Sequence, residues 1–109
     1  MNYGQVLDKL FGALVEPHLI APTFVTDYPK AISPLAKESR DGKSDMVERF
    51  ELFIAGMEFA NSFSELNDPI EQRKRLEKQA ELHECGDEEA QIFDENFIHA
   101  MEVGMPPTG

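Results

Sequence analysis

RFELFIAGMEFANSFSELNDP, Arg49 to Pro69, reads as two strands, a turn and the first residues of a helix. From Val47 to Ile54 the side chains alternate. Phe50, Leu52 and Ile54 share one face of a strand, and Arg49, Glu51 and Phe53 share the other. Ala55-Gly56 makes a tight reversal, and Met57 to Leu66 returns as a second strand, so an antiparallel hairpin is expected. Asn67-Asp68-Pro69 then starts a helix: Asp68 caps, Pro69 suits the first helical position, and Glu71 stands at the capping-box offset. The helix is expected to reach about Cys85, with Gly86 as its stop.

Upstream, residues 4–15 carry Val6, Leu7, Leu10, Phe11 and Leu14 at spacings of three and four, which predicts an amphipathic helix ended by Pro17. Thr23 to Tyr28, bracketed by Pro22 and Pro29, reads as a strand. Ile32 to Leu35 is expected to be extended, and the polar run from Lys37 to Asp45, with its Asp41-Gly42 turn signal, a mobile loop. Downstream, a short helix is expected after Asp87. Another spans Glu95 to Val103, with Phe97, Ile98 and Met101 inward and Gly104 ending it. Strands followed by helices, without strict alternation, give an α+β class with an antiparallel sheet.

The chain has 109 residues, room for one compact domain, and its hydrophobic content of 41% with eight Phe suffices for a core. Its net charge of −11 argues against holding nucleic acid by itself, which needs clustered Lys and Arg. The single cysteine, Cys85, cannot close an internal disulfide. HECGDE around it, with His83 and Glu84, lacks the three or four spaced ligands of a zinc site. MNYGQVLDKLFGALVEP has no basic region followed by a long apolar run, so no signal peptide is read there. No apolar run approaches the ~20 residues of a membrane span. A soluble, cytoplasmic protein is expected.

Glu51 and Glu58 flank the turn on paired strands and can converge on one face of the sheet. Two close carboxylates repel unless a divalent cation sits beside them, and magnesium favours one or two carboxylates completed by water and phosphates. The plainer reading leaves each Glu facing solvent. Asn61, Phe63 and Glu65 stand at i, i+2, i+4, the same face of a strand. An amide, a ring and a carboxylate in a row suit a ligand with a cationic head on an apolar stem. The alternative is a half-exposed strand with Phe63 in the core. Because Glu58 and Asn61 are three positions apart, strict alternation puts them on opposite faces. If both serve one site the strand must bulge, and an irregularity is expected near Phe59-Ala60.

Arg49-Phe50-Glu51, Gly56, Glu58, Asn61, Phe63 and Glu65-Leu66-Asn67-Asp68 together resemble a segment of class II lysyl-tRNA synthetases. PTFVTDYPKAISPLAK (Pro22 to Lys37), GDEEA and GMPPTG extend the resemblance over nearly the whole chain. Met57 stands where a basic residue is common, and the ring at Phe63 is sometimes tyrosine. The resemblance implies that residues 1–109 are a piece of a catalytic domain, within its antiparallel sheet and flanking helices, whose third motif would begin past Gly109. Nothing in the chain resembles that family's first or second motif or its anticodon-binding barrel.

By the same resemblance, Glu51 and Glu58 contact ATP and hold magnesium against its phosphates. Glu58 also meets the amino acid, Asn61 contacts the lysine carboxylate, Phe63 walls its stem, and Glu65 accepts the ammonium. No catalytic residue is assigned. The whole enzyme, a homodimer, would make lysyl-adenylate from lysine and ATP and pass lysyl to tRNA. This acidic piece would not bind tRNA alone, would be inactive, and would tend to a non-native oligomer through exposed sheet edges. The alternatives are a synthetase-like paralogue that lysylates an elongation factor, and a non-catalytic lysine-sensing module.

Overall fold

The computed structural model describes residues 2–43, 45–88 and 90–108, in two compact units, Met1–Ser64 and Glu65–Gly109. Met1, Ser44, Glu89 and Gly109 lie outside the described residues, and with them one position of the expected loop, one of GDEEA and the last of GMPPTG.

In the first unit, α1 (Tyr3–Leu14) starts in a reciprocal cap: Asn2 Oδ1 accepts the Gln5 amide at 3.0 Å and Gln5 Oε1 accepts the Asn2 amide at 2.9 Å. From the expected apolar stripe, Phe11 packs edge-on against Phe53 with centroids 5.8 Å apart, while Val6, Leu10 and Leu14 remain exposed. Near its start the helix presses on the turn that follows the first strand. A Cβ on Gly4 would sit 2.9 Å from Ile32 Cγ2, so only glycine fits there without a shift.

Three antiparallel strands, β1 (Thr23–Pro29), β2 (Met46–Ile54) and β3 (Met57–Phe63), lie in the order β1-β2-β3. The register of β1 on β2 slips between Thr26, opposite Phe50, and Tyr28, opposite Val47. The extra residue is on β2, where Glu48 and Arg49 together oppose Asp27, which takes φ 58°. On β2 the alternation holds, and Val47, Glu51 and Phe53 are buried while Phe50 is exposed. Tyr28, Ala36 and Val47 form a small core joined by Val25 and Ile32. Every residue of β3 is exposed. The hairpin tip is a left-handed pair, Ala55 at φ 54° and Gly56 at φ 73°, the twist that matches the flanking strands. Its amides are spoken for: Ala55 N–H donates to Ile20 O at 2.9 Å and Gly56 N–H to Leu19 O at 3.0 Å.

Two expectations in this unit need correction. Ile32 to Leu35 is not extended; Lys30–Ile32 forms a tight helical turn, Ser33 N–H donates to Lys30 O at 3.1 Å and Ala36 N–H to Ser33 O at 3.2 Å. A prolyl ring at Pro34 cannot join a ladder, and local turns satisfy the amides around it instead. The run from Lys37 to Asp45 is tied down rather than loose. Lys37 N–H donates to Ser64 O at 2.7 Å, Glu48 N–H to Lys37 O at 2.8 Å and Ser39 N–H to Met46 O at 3.0 Å. Its charges pair back onto the unit: Lys30 with Glu38, Lys43 with Asp27 at 2.7 Å, and Arg40 with Glu48 through two bonds of 2.6 and 3.0 Å. The Arg40 guanidinium, then the Ser64 hydroxyl, hold the Glu48 carboxyl down at about 2.

In the second unit, α2 (Pro69–Glu84) is capped as expected, Asp68 Oδ1 accepting the Ile70 and Glu71 amides at 2.9 and 3.3 Å, and Gly86 follows at φ 95°. α3 (Glu95–Val103) is capped by Asp94 and closed by Gly104 at φ 109°. The two helices pack together, with Leu76, Ile98 and Met101 buried, and Arg73 grips Glu95 with bonds of 2.6 and 3.0 Å. The short helix expected after Asp87 does not form among the described residues of 87–94. Asp94 spends its side chain on the Asn96 and Phe97 amides and so starts the helix later.

Candidate functional site

The register of β3 on β2 decides which side chains meet. Arg49 is opposite Phe63, Glu51 opposite Asn61 and Leu52 opposite Ala60, but Phe53 is opposite Glu58. Phe59 has no partner in the ladder, so the expected irregularity is a bulge at that residue. Directly opposed residues point to the same side of a sheet. Arg49, Glu51 and Phe53 on β2 therefore share a face with Phe63, Asn61 and Glu58 on β3. Four of the five expected site residues are brought together: Glu51, Glu58, Asn61 and Phe63.

The fifth is not on the strand. β3 ends at Phe63, three residues short of Leu66, and Glu65 belongs to the second unit. There its Oε2 accepts the Thr108 amide at 2.8 Å. The strand stops because the backbone must leave the ladder for Asp68 to aim its side chain at the first amides of α2, and because Pro69 has no N–H to lend to a sheet.

At the centre of the face is a guanidinium. Arg49 Nε donates to Asn61 Oδ1 at 3.0 Å, and Nη2 to Glu51 Oε1 at 2.5 Å. Nη1 reaches Ser33 Oγ at 2.9 Å and Ile32 O at 3.1 Å. Its carbon lies 4.6 Å from the centre of the Tyr28 ring, a stacking contact as well as a charge contact. Glu51 is buried and held from both sides, because Tyr28 Oη donates to its other oxygen at 2.7 Å. Burial, reinforced by that bond to Glu51, pushes the Tyr28 hydroxyl far above its ordinary range, so it stays a donor.

Glu58 differs in kind. Although Glu58 is exposed, loss of part of its hydration to neighbouring protein atoms raises its carboxyl above the usual glutamate range, and the nearby Glu51 raises it further, with Arg49 pulling the other way. It is the carboxylate on this face for which a cation would relieve repulsion. Among the described residues no three of His, Cys, Asp and Glu gather into a cage of their own. Two carboxylates, one of them already shared with Arg49 and Tyr28, fit an ion that arrives with other ligands, as magnesium does with phosphates. Asn61 and Phe63, both exposed, offer an amide and a ring beside them.

A concavity of about 360 Å³ is lined by Thr26, Glu48, Phe50, Ser62 and Ser64, and also by Arg49 and Phe63 of the site face. It includes none of Glu51, Glu58 and Asn61. Sequence reading missed two residues of the site proper. Arg49 was legible as a facemate of Glu51 by alternation. Tyr28 left no local trace, because the register that brings it to Glu51 spans 23 residues and a bulge.

The family described as tRNA synthetases class II (D, K and N) matches residues 8–109. Curated relatives include a lysine–tRNA ligase of Moorella thermoacetica, 57% identical over 109 residues, all of this chain and 22% of the relative. A lysine–tRNA ligase of Synechococcus sp. strain CC9902 is 60% identical over 108 residues, 99% of this chain and 21% of its own length. That of Christiangramia forsetii is 52% identical over 108 residues, 99% of this chain and 19% of its own. The chain thus spans about a fifth of the length of the curated relatives it matches.

Proposed function

The chain belongs to the class II tRNA synthetases of the D, K and N family, and on that premise we propose that it carries part of the lysine and magnesium–ATP pocket of a lysine–tRNA ligase. The observation that supports this best is the bulge at Phe59, which turns Glu58 onto the face of Glu51, Asn61 and Phe63. A strand with one wasted residue is hard to explain by packing, since all of β3 is exposed. The curated relatives named lysine–tRNA ligase support the choice of amino acid.

In this reading the whole protein activates lysine. An oxygen of the lysine carboxylate attacks the α-phosphorus of ATP, pyrophosphate leaves, and lysyl-adenylate forms; the lysyl group then passes to the terminal ribose of tRNA. This chain's part is binding and orientation. Asn61 takes the amino-acid carboxylate, Phe63 packs along the methylenes, and Glu65 is assigned to the ammonium. Glu51 and Glu58 would hold magnesium, which when bound neutralises charge on the phosphates. The only cation on the β2–β3 face among the described residues, Arg49, is committed to Glu51, Asn61 and Ser33. The face therefore suits ligand holding, and charge stabilisation at phosphorus is assigned to other parts of the protein. With −11 net charge, tRNA binding is assigned elsewhere too. A cytoplasmic address belongs to the same reading.

An amide-resolved NMR titration of the chain with lysine, repeated with arginine, tests the proposal. Lysine-selective shifts at Glu58, Asn61 and Phe63 are expected. Equal responses to both amino acids, or none in a well-dispersed spectrum, would sink it.

A further inference from the structure

The geometry points to Arg49 as the positioning residue that decides which way the Asn61 amide faces, and so makes this site select a carboxylate over a carboxamide. An arginine only donates hydrogen bonds. Its Nε lies 3.0 Å from Asn61, so the oxygen of that amide must turn inward to accept. The amide nitrogen is then left facing out, with two N–H donors and no acceptor to offer. A ligand group at this position must itself accept, and a carboxylate accepts at every lone pair, whereas a carboxamide brings donors to half the positions.

Among the described residues, nothing else on the face can do this. Glu51, directly across from Asn61, is an acceptor and is occupied by Arg49 Nη2 at 2.5 Å and by Tyr28 Oη at 2.7 Å. The guanidinium is itself fixed in plane. Ser33 and the Ile32 carbonyl take Nη1, Glu51 takes Nη2, and the Tyr28 ring lies under the carbon at 4.6 Å. Ser33, Glu51 and Tyr28 are all buried, so the fork is held by groups that do not move with solvent. A lysine ammonium could carry the same charge but not the same fork. Arg49 touches no ligand in this arrangement. It acts through Asn61.

The inference rests on the lysine reading of the site, and the test separates the two. In the full chain, the Arg49 Nε–H resonance is expected to be protected from solvent exchange, and Asn61→Ala is expected to remove that protection. Wild-type chain titrated with lysine and with lysinamide is expected to prefer lysine. Arg49→Lys, which keeps the charge, is expected to erase about tenfold or more of that preference, while Arg49→Met does the same if it folds. If Arg49→Lys keeps the full preference, or if Asn61→Ala leaves Nε–H exchange unaltered, Arg49 does not orient the amide. If the wild-type chain ignores both ligands while Nε–H still answers to Asn61→Ala, the lysine reading fails and the orienting role stands.

Discussion

Glu58 pairs with Phe53 across the hairpin, one residue earlier than the pairing of Leu52 with Ala60 would place it. The extra residue between the two pairs, Phe59, is what lets a spacing of three put Glu58 and Asn61 on one side. Deleting Phe59 makes that spacing two, and both residues stay on the same face of a now regular strand. Cross-strand NOEs between Phe53 and Glu58 are therefore expected to survive the deletion. A shift of Glu58 away from Phe53 would show that neither the two-residue turn, which pairs Ile54 with Met57, nor the shared face fixes the register.

Glu58 has its carboxyl raised by partial desolvation first and by Glu51 second. A carboxyl raised on folding favours the protonated folded state. Its contribution to stability is present below the ordinary glutamate range and is lost as pH rises through the elevated value. Glu58→Gln is thus expected to stabilise the chain at pH 7 and to be without benefit in mild acid, as read by thermal melts at both. Glu51→Gln is expected to lower the Glu58 midpoint in a carboxyl-detected NMR titration. An unmoved midpoint would mean that the two carboxylates do not sense each other.

Tyr28→Phe removes one donor from a buried glutamate and leaves the ring, the stacking on Arg49 and the core in place. A hydrogen bond to a charged acceptor is worth about 1.5–3 kcal/mol, so a loss of that size is expected in a urea melt. A variant as stable as wild type would mean that water reaches Glu51 and replaces the hydroxyl.

Ala55 sits at φ 54° at the hairpin tip, where a Cβ crowds the backbone. Ala55→Gly and Ala55→Asn suit that conformation and are expected to stabilise the chain by about 0.5–1 kcal/mol in the same melts. Destabilisation by both would place the strain elsewhere.

Short-range chemistry in this sequence was readable, and long-range chemistry was not. Asp68-Pro69 announces a helix start and α2 begins there, and α3 keeps its expected bounds, Glu95 to Val103. The bulge was legible because two residues of one presumed site stood an odd number apart. Alternation on β2 sorted the side chains into two sets but could not say which set was buried, because both contain Phe. The buried set is the one with Arg49 and Glu51. Glu65 was misread as a strand residue because periodicity alone does not mark where a strand yields to the cap that follows it. The charged run after Lys37 resembled a loose loop because its partners, Asp27 and Glu48, lie on strands that no local pattern connects to it.

β3 also has a colloidal consequence. MEFANSF contains no proline and no lysine, one charge, and three large apolar side chains in the open, so its edge carries few of the usual guards against pairing with another chain. Against such pairing works the self-repulsion of the protein's own −11 charge. The reach of that repulsion shrinks from roughly 10 Å at 0.1 M salt to about 3 Å at 1 M. Raised ionic strength is therefore expected to favour edge-to-edge pairing between copies.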